Sequence, residues 1–549
     1  MPSGGYCVVE TRGGKLRGRV IDGIHTFKGI PYAASTAGTN RFKPPAPLKP
    51  WAGLRDAFEL TAQCPQPTDT NFSGADPAFE RFIEGAFEPS PGRFSEDCLA
   101  LNVWTAALDS GRRPVMVWLH GGGFEMGSGG APWSDGAALC RTGDVVVVTL
   151  NHRLNVLGYL HLSELAGQEF AAAGNAGMLD IVAALQWVRD NIEMFGGDPG
   201  NVTIFGCSGG GTKVNTLLAM PCAAGLFHKA IVQSSYTLRL LRSDEATHVA
   251  ERVLAALGLD VRPGNMGMER LASISVEQLL AAMATVKAEA AVAPDLSVFA
   301  RVGFAPVVDG NFLPRQAFDA EIDAEMDAQK DAQGISTLRD VPMIVGSNAD
   351  ETTMLLGGAD PSLFTLDETR MRAGVEKFTG LGAGDARRLV EIYRRHDPGA
   401  SPAEVYFSAT SDHMFRMDAI RQSEWQARRG GAPVYMYLFT WKAPAMGGRY
   451  KAAHGIDVPL VFGNADRAQG FGGSGEERGA LADKVSQAWV SFARSGHPGH
   501  VGPPESLEWQ PYTLDSRATM IFDTTCRVAF DPGAEVRRFY EQRQGRSGQ

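Results

Sequence analysis

The sequence predicts an α/β fold with a large, mostly parallel central sheet and helices on both of its faces. Short apolar runs recur without alternating polar residues, a pattern typical of strands that are buried on both faces. The runs are Val115–Leu119, Val145–Leu150, Val202–Phe205, Ala230–Gln233, Met343–Val345 and Val434–Phe439. Helical segments lie between them, and strands that alternate with helices favour a parallel sheet covered on both sides.

The clearest helical segment spans residues 178–195. Its apolar side chains recur at the i, i+3, i+4 and i+7 spacing that lines one helical face. They are Met178, Ile181, Val182, Leu185, Val188, Ile192 and Phe195. Gly196 and Gly197 follow and predict the end of this helix. The stretches 244–300 and 366–430 are also predicted to be mainly helical. We expect them to be insertions over the carboxyl edge of the sheet, where they shape a pocket, within a single domain spanning residues 1–549.

Composition and charge narrow the class of protein. Of the 549 residues, 44% are hydrophobic and 21% are charged, and the formal net charge is -10. An acidic chain without a basic block repels phosphate backbones, so we expect no nucleic-acid partner. The longest strongly apolar run, Val145–Leu150, is too short to span a bilayer. The N-terminus lacks a basic region followed by an apolar one, so we expect a cytoplasmic protein, or a secreted one if a leader was removed.

The seven cysteines predict neither a disulfide scaffold nor a zinc site. Their number is odd and low for the length of the chain. None belongs to a Cys-x-x-Cys pair, so a zinc site has no support.

The segment Gly206-Cys207-Ser208-Gly209-Gly210 contains the pattern Gly-x-Ser-x-Gly. Composition alone gives roughly 0.4 chance matches to this pattern. The pattern therefore becomes informative only together with the strand and helix predicted on either side of it. A predicted strand, Val202–Phe205, leads into it and a predicted helix, Thr212–Met220, leads out. This is the strand–turn–helix setting of a nucleophile elbow. Ser208 would project from the sheet edge at a helix N-terminus, where backbone N–H groups stabilise negative charge.

Two other interpretations of this segment remain. The first is a plain Gly-rich loop with a surface serine. The second is a chymotrypsin-like Gly-Asp-Ser-Gly-Gly site, which occurs in β-barrels and has Asp where this chain has Cys207. The α/β pattern around the segment favours an α/β-hydrolase fold with Ser208 as the nucleophile.

A second Gly-rich loop, His120-Gly121-Gly122-Gly123-Phe124, follows the predicted strand Val115–Leu119. Cleavage of an ester passes through a tetrahedral oxyanion, which fixed backbone N–H donors stabilise. We expect these donors to be the N–H groups of Gly122, Gly123 and Gly209. The alternatives are a structural turn and a phosphate-binding loop, but the spacing matches neither Gly-x-Gly-x-x-Gly nor a Walker loop.

Further segments resemble the type-B carboxylesterase, or cholinesterase-like, family, and above all its bacterial para-nitrobenzyl-esterase-like members. The resemblance extends from near residue 25 to near residue 523. It is carried by Ser95–Leu99, His120–Phe124, Asn151–Arg153, Trp187–Ile192, Phe195–Pro199, Phe205–Ser208, Pro306–Gly310, Ala453–Gly455, Trp489–Arg494 and Arg517–Met520.

The resemblance implies the other two catalytic residues. The family's acid lies in a segment like Gly-x-Asn-x-Asp-Glu, and residues 346–351 of this chain imply Glu351, with Asp350 as the main competitor. The family's base lies in His-Gly-x-Asp, which implies His454. The order Ser208, Glu351, His454 agrees with that of α/β-hydrolases. The histidines that follow Glu351 are His396, His413, His454, His497 and His500.

Departures from the family pattern bear on the substrate. Where the family commonly has Glu before the nucleophile, this chain has Cys207, which we expect to be a packing residue rather than a redox switch. Gly209 stands where Ala is common and keeps the backbone N–H. Cholinesterases bind choline with a tryptophan in the segment corresponding to residues 64–98, where this sequence has none. Both absences favour a neutral ester. The resemblance also implies a Cys64–Cys98 disulfide, with two free thiols as an equal alternative.

The resemblance therefore implies a serine carboxylesterase that cleaves neutral small-molecule esters through a Ser-His-Glu triad and a covalent acyl-enzyme. It requires no cofactor, and we expect a monomer or a homodimer. Two alternatives remain. One is an amide or carbamate hydrolase with the same triad, and the other is a catalytically silent, adhesion-type relative.

Overall fold

The computed structural model describes residues 5–60, 62–67, 79, 93–262, 267–318, 340–501 and 508–547. These residues divide into two compact units. The first unit consists of the described residues of Met1–Thr68, Pro89–Ile231 and Thr237–Asp340. The second consists of those of Asp69–Glu88, Val232–Tyr236 and Val341–Gln549. The single domain over residues 1–549 stays a prediction.

The first unit contains a sheet with a parallel centre and an antiparallel edge. The strands are β1 (Gly5–Thr11), β2 (Gly14–Ile21), β3 (Ile24–Pro31), β4 (Leu54–Asp56), β5 (Ala62–Gln63), β6 (Arg93–Phe94), β7 (Ala100–Thr105), β8 (Arg113–Leu119), β9 (Val146–Leu150), β10 (Gly197–Cys207), β11 (Lys229–Gln233, whose last two residues belong to the second unit), β12 (Leu241–Arg242) and β13 (Val307–Val308). The sheet order is β1-β2-β3-β7-β9-β8-β10-β11, with β4 beside β2. Strands β9, β8 and β10 pair in parallel, whereas β1, β2, β3, β7 and β9 pair antiparallel in turn.

Helices cover the strands of the first unit. The α-helices are Ala137–Gly143, Asn155–Tyr159, Ser163–Ala166, Ala176–Asn191, Gly209–Ala219, Ser243–Ala256, Gly267–Ser273, Val276–Ala290 and Ser297–Val302. The 3₁₀ turns are Gly38–Asn40, Pro132–Ser134, Gln168–Phe170, Ala173–Asn175, Ile192–Phe195, Pro221–Ala223 and Pro294–Leu296.

The second unit repeats the α/β pattern. Its strands are β14 (Met343–Asn348), β15 (Val434–Phe439), β16 (Ala518–Phe522) and β17 (Arg527–Phe530). Strands β14, β15 and β16 are parallel, and β17 pairs antiparallel with β16. The α-helices are Glu351–Leu355, Glu368–Thr379, Ala383–His396, Pro402–Ser411, Met417–Arg429, Asp457–Val461, Gln469–Gly472, Glu476–Ser495 and Ala534–Ser547. The 3₁₀ turns are Pro361–Thr365, Ala445–Gly448 and Ala465–Ala468, and Asp412–Arg416 is a π-helical turn.

The buried strands explain why the apolar runs lack alternation. All five residues of β9 are buried, as are all six residues of β15. In β8 the residues from Pro114 to Leu119 are buried. Apolar residues on both faces of a strand need cover on both sides of the sheet, which the helices provide. The prediction of parallel strands at these runs is confirmed.

The helix boundaries differ from the predicted ones at two places. The helix predicted at 178–195 is Ala176–Asn191, and its last turn tightens into the 3₁₀ turn Ile192–Phe195 before Gly196 adopts a left-handed φ of 75°. The helix predicted at 212–220 begins earlier, at Gly209. Three successive glycines disfavour a helix by propensity, so tertiary packing must impose it there.

Both stretches predicted to be helical insertions are rich in helix. Four α-helices lie between Ser243 and Val302, and four more lie between Glu368 and Arg429. Their position over an active site stays a prediction.

None of the helices in the described ranges is by itself long and apolar enough to cross a bilayer. The helices Gly267–Ser273 and Val276–Ala290 meet the requirement of length and composition only as a pair, and they are bent by 105°.

Candidate active site

Ser208 lies in a sharp turn between β10 and the helix Gly209–Ala219. Its φ of 60° and ψ of -125° are unfavourable for a residue with a side chain. The turn is nevertheless held in place because a strand ends at Cys207 and a helix starts at Gly209. The structure of the first unit therefore has the strand–turn–helix geometry predicted for the Ser-containing segment.

Glycine is required at three positions around this turn because backbone atoms approach very closely. A Cβ atom on Gly206 would lie 2.5 Å from the backbone carbon of Gly210 and 2.6 Å from the carbonyl oxygen of Leu119. A Cβ atom on Gly209 would overlap the carbonyl oxygen of Gly123, and one on Gly210 would overlap that of Leu119. The turn at Ser208 and the loop that follows β8 are thus in direct backbone contact.

The Gly-rich loop after β8 contains the predicted oxyanion donors. Gly122 and Gly123 have φ angles of 86° and 62°, which a residue with a side chain rarely adopts. Within the described part of the chain, neither backbone N–H has a hydrogen-bond acceptor. Gly209 is the first residue of its helix, where N–H groups have no intrahelical acceptor. These are the three N–H groups predicted to be the oxyanion donors.

Glu351 and His454 are in direct contact within the second unit. His454 Nδ1 lies 2.6 Å from Glu351 Oε2, and both side chains are buried. Glu351 begins a short helix after β14, and its other oxygen, Oε1, accepts a hydrogen bond of 2.7 Å from the N–H of Asn348. A carboxylate that accepts from Nδ1 fixes the imidazole tautomer and leaves Nε2 for proton transfer.

The chain matches the model of the carboxylesterase family over residues 6–543. It is also 34% identical to the para-nitrobenzyl esterase of Bacillus subtilis over 534 residues, which are 97% of this chain and 98% of that protein.

The chain belongs to the carboxylesterase family.

Other members of this family match with similar coverage. The phenmedipham hydrolase of Pseudarthrobacter oxydans is 32% identical over 537 residues, which are 97% of this chain and 96% of that protein. The crystal structure of a carboxylesterase from Geobacillus stearothermophilus superposes with a TM-score of 0.77 at 37% identity, covering 97% of this chain and 99% of that one. The predicted α/β-hydrolase fold is confirmed, and the chain is a carboxylic-ester hydrolase.

The position of Asp350 separates it from Glu351 as a partner of the imidazole. Asp350 Oδ2 accepts from the N–H of Ala452 at 3.3 Å, and burial raises the pKa of this carboxyl group. Among the described residues, the carboxylate that contacts His454 is that of Glu351. His396 and His497 instead lie near Glu535 and Glu508. The geometry thus favours Glu351 over Asp350, and His454 over His396 and His497.

A buried polar network, which the sequence did not reveal, holds the Glu351–His454 pair. The side-chain amide of Asn348 donates to the carbonyl oxygen of Ala453 at 2.8 Å and approaches Asp457 at 3.3 Å. Asp457 also accepts from Gln233 at 2.7 Å and from the hydroxyl of Tyr437 at 3.1 Å. Asn348 and Asp457 are the Asn and the Asp of the Gly-x-Asn-x-Asp-Glu and His-Gly-x-Asp segments that implied the acid and the base, and this could have singled them out.

The cysteines are free thiols in the structure. Cys64 and Cys98 are both buried, and the hydrogen bond that the Cys98 thiol donates to Cys64, together with burial, raises the pKa of Cys98 well above its usual value. Of the two alternatives for this pair, the structure has the thiols. Cys207 is buried, as a packing residue would be. In the described ranges, no group of three or more His, Cys, Asp or Glu residues could hold a metal ion.

The close backbone contact at Gly210 predicts a severe effect of a single methyl group. In the variant Gly210→Ala the added Cβ meets the Leu119 carbonyl, and neither backbone segment can move without displacing Ser208 or the Gly-rich loop. We expect esterase activity to be lost and the free energy of unfolding to fall by about 3 kcal/mol in denaturant titrations. Gly479→Ala is the matched control, because Gly479 is exposed in a helix with open space around it. Normal stability and activity of Gly210→Ala would contradict the proposed contact.

The two neighbouring carboxylates predict opposite outcomes for two isosteric changes. Glu351→Gln removes the charge that faces His454 Nδ1, and a steady-state assay should show kcat reduced by about 10³-fold or more. Asp350→Asn should retain most of kcat, since Asp350 contacts the backbone at Ala452 instead. If Asp350→Asn is the inactive variant, the assignment of the acid is wrong.

Proposed function

We propose that this carboxylesterase cleaves neutral esters through a Ser208–His454–Glu351 triad and a covalent acyl-enzyme. The single observation that carries the proposal is the buried 2.6 Å contact between His454 Nδ1 and Glu351 Oε2. An imidazole held in this way is a base whose Nε2 can accept a proton. The strained conformation of Ser208, between a strand and a helix N-terminus, supports its role as nucleophile.

The reaction has two halves. In the first, His454 accepts the hydroxyl proton of Ser208 as its oxygen attacks the ester carbonyl, and the N–H groups of Gly122, Gly123 and Gly209 stabilise the resulting oxyanion. The intermediate then collapses, the alcohol leaves with the proton from His454, and an acyl group stays on Ser208. In the second half, His454 accepts a proton from a water molecule that attacks the acyl carbonyl and returns this proton to the Ser208 oxygen as the carboxylic acid leaves. Glu351 orients and stabilises the imidazolium in both halves.

The substrate class follows from charge. Cys207 stands where family members commonly carry a carboxylate, and residues 64–98 contain no tryptophan that could bind a quaternary ammonium. A site that lacks both features has little to attract a cationic alcohol group. We therefore assign neutral esters as substrates. A para-nitrobenzyl ester is a suitable first substrate because a similar enzyme is named for that activity.

The nucleophile can be tested by its removal. Ser208→Ala should lose at least about 10³-fold in kcat, because the remaining groups can stabilise the oxyanion but cannot form the acyl-enzyme. A fluorophosphonate probe should label the wild-type protein at Ser208, as read by peptide mass spectrometry, and should not label the variant. Ser273→Ala, at an exposed position, is the control and should behave as wild type. Retained esterase activity in Ser208→Ala would refute the proposal.

Matched amide and carbamate substrates in the same assay would show whether the preference is for esters.

A further inference from the structure

The helix that follows Ser208 carries a fully buried lysine that the mechanism above does not use. Lys213 lies about one turn after Gly209 in the helix Gly209–Ala219. Its Nζ donates two hydrogen bonds of 2.9 Å, one to the carbonyl oxygen of His120 and one to that of Gly123. These two carbonyls flank the peptide groups that carry the N–H groups of Gly122 and Gly123.

The carbonyls between these two also have donors from within the first unit. The carbonyl oxygen of Gly121 accepts from His120 Nδ1 at 2.9 Å, and that of Gly122 accepts from the N–H of Met126 at 3.1 Å. In a planar peptide group the C=O and the following N–H point in opposite directions. Donors that hold the carbonyls of Gly121 and Gly122 therefore also fix the directions of the N–H groups of Gly122 and Gly123. Lys213 donates to the carbonyl oxygens immediately before and after these two, those of His120 and Gly123.

Burying an amine at this position costs free energy because the group loses its contact with water. Burial alone lowers the pKa of Lys213 to about 7. The neighbouring rings offer no negative charge. The Phe124 ring lies 5.3 Å from Nζ, and His120 stacks on His152 with 4.9 Å between ring centroids. Burial lowers the pKa of His120 to about 3 and that of His152 well below its usual value, so both rings are neutral at neutral pH.

The protonation state of Lys213 does not decide whether it can hold the loop. An ammonium group has three N–H bonds and a neutral amine has two, and either number suffices for the two carbonyls. An apolar side chain of the same size would avoid the cost of burial but would leave both carbonyls without a donor. Lys213 is therefore required at this position for the two hydrogen bonds that it donates.

We propose that Lys213 is a positioning residue for the oxyanion hole, which fixes the Gly-rich loop by hydrogen bonds to the carbonyl oxygens of His120 and Gly123. The proposal rests on the proposed function of Ser208 and of the N–H groups of Gly122, Gly123 and Gly209. Lys213 acts on the intermediate through these N–H groups and does not itself touch the substrate.

Two variants of nearly equal size separate positioning from simple filling of space. Lys213→Met removes both donors, and Lys213→Gln keeps two N–H bonds on an uncharged side chain. We expect kcat of Lys213→Met to fall about 10²-fold with little change in KM, because the oxyanion forms only after the substrate has bound. Lys213→Gln should recover a substantial part of this loss. Lys229→Met is the matched control, because Lys229 is also buried but its amine bonds to the side chain of Asn201.

A transition-state analogue gives a readout that general loosening of the protein would not mimic. A trifluoromethyl ketone adds to the nucleophilic serine and forms an anionic adduct, whereas the product alcohol binds without one. Affinity for the ketone should fall in Lys213→Met by about the same factor as kcat, and affinity for the alcohol should stay unchanged. Cooperative thermal unfolding of each variant verifies that it is folded.

The possible outcomes distinguish this proposal from the proposed function. Wild-type kcat in folded Lys213→Met, or equal losses of ketone and alcohol affinity, would overturn the role of Lys213 while Ser208→Ala remains inactive. Equal loss of kcat in the folded Met and Gln variants would also overturn it. If Ser208→Ala keeps its activity and the ketone still binds to it, the proposed function itself fails.

Discussion

The contact between two backbone segments, at the end of β8 and at the start of the helix after Ser208, is the constraint on which the first unit depends. The carbonyl oxygens of Leu119 and Gly123 occupy the space that side chains on Gly210 and Gly209 would fill. This contact brings the loop with its two positive-φ glycines against the turn that strains Ser208. The strain of about 1–3 kcal/mol expected for such a backbone conformation is tolerated because the strand, the helix and the loop together leave the turn no alternative.

In the second unit, geometry is imposed by buried hydrogen bonds instead. Glu351 is completely buried, and a carboxylate in that position must be satisfied on both oxygens. The N–H of Asn348 serves one oxygen and His454 serves the other. The side chain of Asn348 then ties the same strand end to the His454 loop through the carbonyl of Ala453. The pair is thus fixed by contacts that begin at the carboxyl end of one strand, where α/β proteins place their functional groups.

The sequence predicted a strand or a helix end correctly where residues next to each other in the chain determine the structure. The apolar runs at β9 and β15 predicted buried strands because no polar residue interrupts them, and Gly196 predicted a helix end because a left-handed φ suits glycine. The start of the helix at Gly209 was missed because its cause is the distant Leu119–Gly123 loop, which no local propensity records. For the same reason Lys213 went unnoticed. A single lysine in a predicted helix gives no sign that its amine meets two carbonyls 90 or more residues earlier. The residues proposed as acid and base came from resemblance, since nothing in the spacing of Glu351 and His454 predicts their contact.

The groups next to the proposed nucleophile have separate roles. Cys207 ends β10 and places a thiol immediately before Ser208, and Lys213 places an amine one turn into the helix that follows. The amine donates to the carbonyl oxygens of His120 and Gly123 in either of its protonation states. A carboxylate at position 207 would act on a developing oxyanion with little screening by water, because the position is buried. The proposed preference for neutral esters therefore depends on the missing carboxylate, whereas the proposed positioning of the oxyanion loop depends on two hydrogen bonds and not on charge.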